Sequence, residues 1–260
     1  MKKVESSKPY LSIVIPAYNE EKRLLGSLEI IRQFIKTAPY PLEIIIIDDG
    51  STDSTNTRIN NFIKTNKPLP LLCIRIPHNG KAAAIIRGVK EARGRLILFS
   101  DIDFSVPLTA LPIFIDYREK YDYDIVIASR EGENSRRIGE PILRHVMGRV
   151  FNSLIRVLLA LPFNDTQCGF KLFKAEAAKD LFAHLQVYKP NRKGVEKHAY
   201  TGAFDAELIV CALQRGYSVR ELPSEWYYSP TKNVNAVRDS YKMSRDVVRI
   251  WWNVRRGTYS

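Results

Sequence analysis

The sequence predicts an α/β fold: an open, mostly parallel sheet flanked by helices. Three observations predict it. Short uninterrupted apolar runs alternate with segments of helical spacing through the first hundred residues. The runs end in acidic or polar turns, as strands do at the ligand-binding edge of such a sheet. The chain has 260 residues, 45% of them hydrophobic, enough for one sizeable core without staples.

The elements follow in order. Residues 11–16 (LSIVIP) read as the first strand, and 20–36 as a helix carrying Leu24, Leu28, Ile31, Phe34 and Ile35 on one face. Residues 43–47 (EIIII) form a second strand, 55–64 a helix, 71–76 a third strand and 81–92 a helix stopped by Gly94. Residues 95–100 close this half as a fourth strand. Past Pro107 the pattern loosens. A helix over 109–120 and a strand over 124–128 precede a charged loop, 131–141. A long helix spans 143–160, then come a strand at 169–173 and a helix from Ala175. A polar, basic loop over 189–202 leads to a helix at 204–215, a strand at 218–222 and a last helix at 235–255. No repeat or linker interrupts the chain, so a single domain over residues 1–260 is expected.

Composition narrows the function. Cys73, Cys168 and Cys211 lie far apart, which argues against a disulfide framework and a zinc site and fits a reducing compartment. The first ten residues lack the apolar core of a signal peptide. The longest apolar run, 157–163, falls far short of the ~20 residues of a spanning helix. The net charge of +12 admits three partners: nucleic acid, an anionic membrane surface or a polyanionic substrate.

Chemistry gathers at the strand ends. The first strand ends in Pro16-Ala17-Tyr18-Asn19-Glu20, the second in Asp48-Asp49-Gly50-Ser51, the fourth in Asp101-Ile102-Asp103. Any one of these is an ordinary turn; three on one edge point to a site. Two carboxylates at i and i+2 suit Mg²⁺ or Mn²⁺, which binds through one or two carboxylates plus substrate phosphates. His78-Asn79-Gly80-Lys81 is no P-loop, since Arg75 stands where the first glycine belongs, and no GxGxxG follows the first strand. Lys81, opening a helix, suits a phosphate or is simply solvated.

Together, SIVIPAYNEE (12–21), IDDGSTD (47–53), Asn79-Gly80-Lys81 and Asp101-Ile102-Asp103 resemble the family 2 glycosyltransferases of the GT-A fold. DTQCGFKLF (165–173) and FDAEL (204–208) resemble those acting on polyprenyl phosphates, above all the dolichyl-phosphate β-glucosyltransferase group. The resemblance runs from about residue 11 to 235. It implies that residues 1–107 bind the nucleotide sugar, 108–235 the acceptor, and that 236–260 form a basic terminal helix. It places Pro16, Tyr18, Glu20, Asp49 and Asp48 around the nucleoside and Lys81 at the diphosphate. Asp101 and Asp103 would hold Mg²⁺ or Mn²⁺, and Asp165 would lie beside the reacting centre with Asp103. Arg130 and Arg144 would bind the acceptor phosphate. Ser105 stands where related mannosyl enzymes often carry Gln.

The expected activity is inverting transfer of a hexose, glucose from UDP-glucose first, to dolichyl or undecaprenyl phosphate. The alternatives are transfer to a soluble sugar or glycan hydroxyl, with Asp165 or another carboxylate as base, and a nucleic-acid-binding module. The latter lacks any recognised signature, so no nucleic-acid partner is expected. The helix at 143–160 places Leu143, Val146, Met147, Val150, Phe151, Leu154, Ile155, Leu158 and Leu159 at i, i+3, i+4 spacing. Arg144, His145, Arg149, Asn152, Ser153 and Arg156 take the other face. With Arg245, Arg249, Trp251, Trp252, Arg255 and Arg256 on the last helix, this predicts peripheral binding to an anionic membrane on its cytoplasmic face.

Overall fold

The structure, a computed structural model, describes residues 8–189, 202–230 and 236–259, the side chains of 236–239 excepted. Of the basic loop expected at 189–202, residues 190–201 lie outside the described residues.

Strands β1 (Leu11–Ala17), β2 (Leu42–Asp48) and β3 (Leu71–Arg75) alternate with helices α1 (Leu24–Thr37), α2 (Thr55–Thr65) and α3 (Lys81–Glu91). Then come β4 (Leu96–Ser100), α4 (Leu111–Tyr121), β5 (Ile125–Ser129), β6 (Arg136–Ile138) and α5 (Ile142–Leu159). Strand β7 (Phe170–Lys174), α6 (Ala175–His184), α7 (Phe204–Gln214), β8 (Val219–Pro223), β9 (Glu225–Tyr227) and α8 (Ala236–Arg255) complete the order. The main sheet has seven strands in the order β3-β2-β1-β4-β7-β5-β8. All pairings are parallel except those of β7, which runs antiparallel to β4 and β5.

Period-2 geometry sends successive strand residues to opposite faces, so the apolar runs feed two cores at once. Val14, Ile45, Ile47, Ile97 and Phe99 face a core shared with α3, α6, α7 and α8. Ile13, Ile15, Ile44, Ile46 and Leu98 face the other, closed by α1, α2 and α4.

Differences from expectation have local causes. Helix α1 starts at Leu24, not at residue 20, because the N–H groups of Asn19, Glu20 and Glu21 donate instead to Ser51, Thr55 and Asp53. Within the loop expected at 131–141, β6 pairs in parallel with β9, a strand too short to show a pattern.

Helix α5 departs furthest. Its inner face is narrow: Asn152, Ile155 and Leu159 are its only buried residues. Leu143, Val146, Met147, Val150, Leu154, Val157 and Leu158 are exposed, Val157 to 80%. The polar residues do not all face water either. Asn152 turns inward and donates to the carbonyl of Asn164, and His145 meets Glu140. Helix α8 packs beside α5 and buries Val247 and Ile250, leaving Val248 and Trp252 outside. Among the described residues no helix is long and apolar enough to cross a membrane.

Candidate active site

The carboxyl ends of β1 and β2 are adjacent, Ala17 opposite Asp48, and their loops hold one another. Asn19 takes a left-handed conformation (φ 53°), and its Oδ1 accepts the N–H of Thr52 at 2.8 Å. The two motifs therefore co-occur for a structural reason: each caps the other's backbone. Asp49 is buried and organises the next turn. Its Oδ1 accepts the N–H of Asn79 at 2.9 Å, and its Oδ2 that of Gly80 at 2.9 Å and Nδ1 of His78 at 2.7 Å. Burial raises its pKa despite these donors. Gly50 is required here, because its φ is +69° and a Cβ would stand 2.7 Å from the backbone nitrogen of His78.

His78, unassigned by sequence reasoning, stacks on Tyr18 with ring centroids 4.0 Å apart and planes at 9°. The pair gives a flat wall of stacked rings at the strand edge. Asp48 is wholly buried and accepts the N–H of Ser51 at 3.0 Å. Pro16 is buried within β1 opposite Ile47, so it shapes the strand end without presenting a surface. Glu20 is gripped through both oxygens by Arg23.

Past β4, Asp101 stands close enough to Asp103 to disfavour its charge. Burial first, then the Asp101 carboxylate, pushes the Asp103 pKa up. Oδ1 of Asp103 accepts the N–H of Ser105 at 3.1 Å. Lys81, the first residue of α3, reaches Asp101 Oδ1 at 2.7 Å. Burial works against its charge, yet Asp101, Asp205 and Asp103 outweigh burial and hold its pKa above that of an ordinary lysine. Asp101 has room only because residue 169 is glycine: a Cβ there would fall 2.0 Å from its Oδ2.

The pair fits a divalent cation. Its donors are hard oxygens in a niche kept open by Gly169, and among the described residues no third His, Cys, Asp or Glu joins them. This suits Mg²⁺ or Mn²⁺, which completes its shell with phosphate oxygens and water.

The DTQCGFKLF segment joins this edge to the opposite flank. Asp165 is fully buried and accepts four hydrogen bonds: from Arg130 N–H (3.0 Å), Nε (2.6 Å) and Nη2 (2.9 Å), and from the N–H of Gln167 (3.0 Å). Burial opposes its charge, but Arg130 overcomes that and lowers its pKa to about 2. Such a saturated carboxylate orients Arg130 and has no capacity left to act as a base. Cys168 is buried, its thiol pushed up to about 12 by burial. Lys171 lies buried against Asp205 and the Cys168 carbonyl. Glu207 is fully buried in α7. It accepts the N–H groups of Gln186, Val187 and Tyr188 and the hydroxyl of Tyr259, and burial raises its pKa.

Beyond Arg130 the flank is a chain of cations. Arg130 and Arg137 both lie over the Trp226 ring, at 5.5 and 5.9 Å. Arg137 pairs with Glu131 (2.6 Å) and Glu140 (2.7 Å). Arg144 shares Glu140 at 3.8 Å and lies 4.8 Å over Tyr228. Arg130 and Arg144 thus belong to one connected cluster, Arg130 nearly enclosed and Arg144 about half exposed. Sequence reasoning missed Arg23, Arg137, Trp226 and Tyr228. No motif marks them; β9 carries Trp226, and Tyr228 follows directly after it.

Known proteins resemble this chain in sequence and in fold. A dolichyl-phosphate β-glucosyltransferase of Dictyostelium discoideum is 30% identical over 262 residues, covering 95% of this chain and 76% of the relative. One from Saccharomyces cerevisiae is 28% identical, covering 96% and 76%. A mannosyltransferase of Pyrobaculum calidifontis, solved with GDP-Man and Mn²⁺, shares the fold: TM-score 0.61, 18% identity, 94% of this chain and 65% of that one. So does a glucosyl-3-phosphoglycerate synthase of Mycobacterium tuberculosis, solved with Mn²⁺, UDP and glucosyl-3-phosphoglycerate: TM-score 0.61, 18% identity, covering 95% and 80%. The glycosyl transferase family 2 model matches residues 12–182, from β1 through the carboxylate pair and Asp165 into α6. With its GT-A architecture and its acidic strand edge, the chain belongs to glycosyl transferase family 2 and is a glycosyltransferase.

Proposed function

We propose that this enzyme transfers glucose from UDP-glucose to a polyprenyl phosphate of the dolichyl type, inverting the anomeric carbon. The observation that carries the choice of acceptor is the state of the carboxylates on the arginine flank. Asp165, Glu131 and Glu140 are each held by arginine, and Asp165 has no free acceptor position. A hydroxyl acceptor needs a base there. A phosphate monoester, with a second pKa near ~6, arrives already anionic. Arginine's fork suits it, and alignment replaces deprotonation. The names of the relatives support the same acceptor and sugar.

In this reading the Tyr18–His78 wall and Asp49 face the base, and Lys81 the diphosphate. Asp101 and Asp103 hold Mg²⁺ or Mn²⁺, which neutralises the departing diphosphate when bound. A phosphate oxygen held by Arg130 and Arg144 attacks C1, and the C1–oxygen bond to the diphosphate breaks, its electron pair leaving with UDP. The exposed apolar face of α5, with Trp252 of α8 beside it, rests on the cytoplasmic surface of an anionic membrane, where the prenyl chain lies. The test is a panel of radiolabelled nucleotide sugars incubated with polyprenyl phosphate in liposomes. Label from UDP-glucose is expected in the organic phase. Label from GDP-mannose alone moves the sugar assignment, and equal transfer to a soluble sugar overturns the acceptor.

A further inference from the structure

Two cations of the protein occupy the carboxylate pair. Lys81 sits on Asp101 at 2.7 Å, its side chain 17% exposed. Arg23 comes from the loop before α1. Its Nη1 lies 3.5 Å from Asp103 Oδ2 and donates to Ser229 Oγ at 2.8 Å, while the rest of its fork holds Glu20. Neither role follows from local folding. Lys81 reaches across from α3 to the end of β4, and Arg23 joins three segments that are distant in sequence.

We propose that Lys81 and Arg23 are exchangeable counter-ions of Asp101 and Asp103, so that a divalent cation binds tightly only together with a nucleoside diphosphate. The inference rests on the proposed reading of Asp101 and Asp103 as the metal pair. The physical case is charge counting. Against Asp101, Asp103 and Glu20 the edge already sets two positive groups. A dication arriving alone must displace them or sit beside them, and repulsion at a few ångströms in a partly dry site is large. A diphosphate reverses this. It is a better partner for Lys81, whose flexible stem lets the ammonium swing from Asp101 to a phosphate. Arg23 keeps Glu20 and Ser229 as it turns, so its guanidinium is never left unpaired. The carboxylates then become free for the metal. The coupling is reciprocal: the factor by which the diphosphate tightens the metal is the factor by which the metal tightens the diphosphate.

The experiment measures Mn²⁺ binding to the full chain by the loss of the free-ion signal in electron paramagnetic resonance, with and without UDP. No turnover is involved. In the wild type, UDP is expected to raise Mn²⁺ affinity about tenfold or more. Without UDP, Lys81→Gln is expected to bind Mn²⁺ about tenfold tighter than wild type, and Arg23→Gln less so because its contact with Asp103 is longer. Both variants reduce the effect of UDP, whereas Lys81→Arg, which keeps the charge, binds like wild type. If folded Lys81→Gln and Arg23→Gln bind Mn²⁺ no tighter than wild type, the proposal is overturned. Should Lys81→Gln fail to melt cooperatively, Arg23→Gln decides alone, being on a loop and partly exposed. Asp103→Asn separates the two levels. Loss of Mn²⁺ binding keeps the metal pair and leaves the counter-ion claim to the other variants. Unchanged binding removes the metal pair and this inference with it.

Discussion

The carboxylate edge, proposed to take the donor, and the arginine flank, proposed to take the acceptor, are built by different means. At the carboxylate edge, backbone N–H groups hold three of the aspartates: Ser51 on Asp48, Asn79 and Gly80 on Asp49, Ser105 on Asp103. On the arginine flank side chain holds side chain, arginines and glutamates drawn from the loop after β5, β6, the segment before α5 and α5 itself. The helices repeat the contrast. Helix α3 lies against β1 and buries Ala84, Ile85 and Val89; helix α5, with similar apolar spacing, leaves most of its apolar residues outside. A backbone-held edge is fixed by the sheet. A flank made of paired ions and an uncovered apolar face is suited to a boundary between water and lipid.

Breaking the donor edge is expected to have the largest effect. Asp103→Asn lowers kcat about 10³-fold on every acceptor while the melting temperature is kept, checked by single-turnover kinetics beside calorimetry. Next comes the joint between the two regions. Asp165→Asn leaves Arg130 buried without its partner and destabilises the fold by about 3–5 kcal/mol in urea titration, whereas Arg130→Met added to it recovers much of that loss. Acid tests the same joint more gently. The pKa of Asp165 falls from 3.8 to about 2 on folding, so its contribution of about 2 kcal/mol is complete above the unfolded value. It is lost as pH drops through the folded one, and Asp165→Asn flattens that segment of the stability curve between pH 4 and 2. On the flank, Val150→Glu with Val157→Glu lowers sedimentation with anionic liposomes about tenfold without altering UDP binding, since both side chains face outward. Smallest, Arg144→Ala raises the KM for the lipid acceptor severalfold, about 1 kcal/mol for a half-exposed charge, with the KM for the donor unchanged.

The same division decides what could be read from the chain. Strand ends after apolar runs announce themselves, so Asp49, Asp101 and Asp103 were visible as a set. The amphipathic spacing of α5 was equally plain. Spacing alone does not say which face meets the core, and the narrow inner face set by Asn152, Ile155 and Leu159 emerges only once the sheet and α8 are in place. Trp226 and Arg137 were invisible because their partnership spans some ninety residues and rests on a three-residue strand. Asp165 was found through its motif, but its task of fixing Arg130 depends on β5 and β7 lying side by side.

That adjacency has a consequence for distance. Because β7 runs against its neighbours, it threads between β4, which leads into Asp101 and Asp103, and β5, which leads into Arg130. Two strand spacings of about 4.8 Å separate those strands, roughly 10 Å in all. In the proposed reading, the gap between leaving diphosphate and incoming phosphate is therefore gauged by a hydrogen-bonded ladder, which hardly stretches. On that reading the register of β7, with Gly169 just before it beside Asp101 and Lys171 opposite Ile127, sets the tolerance of the whole reaction.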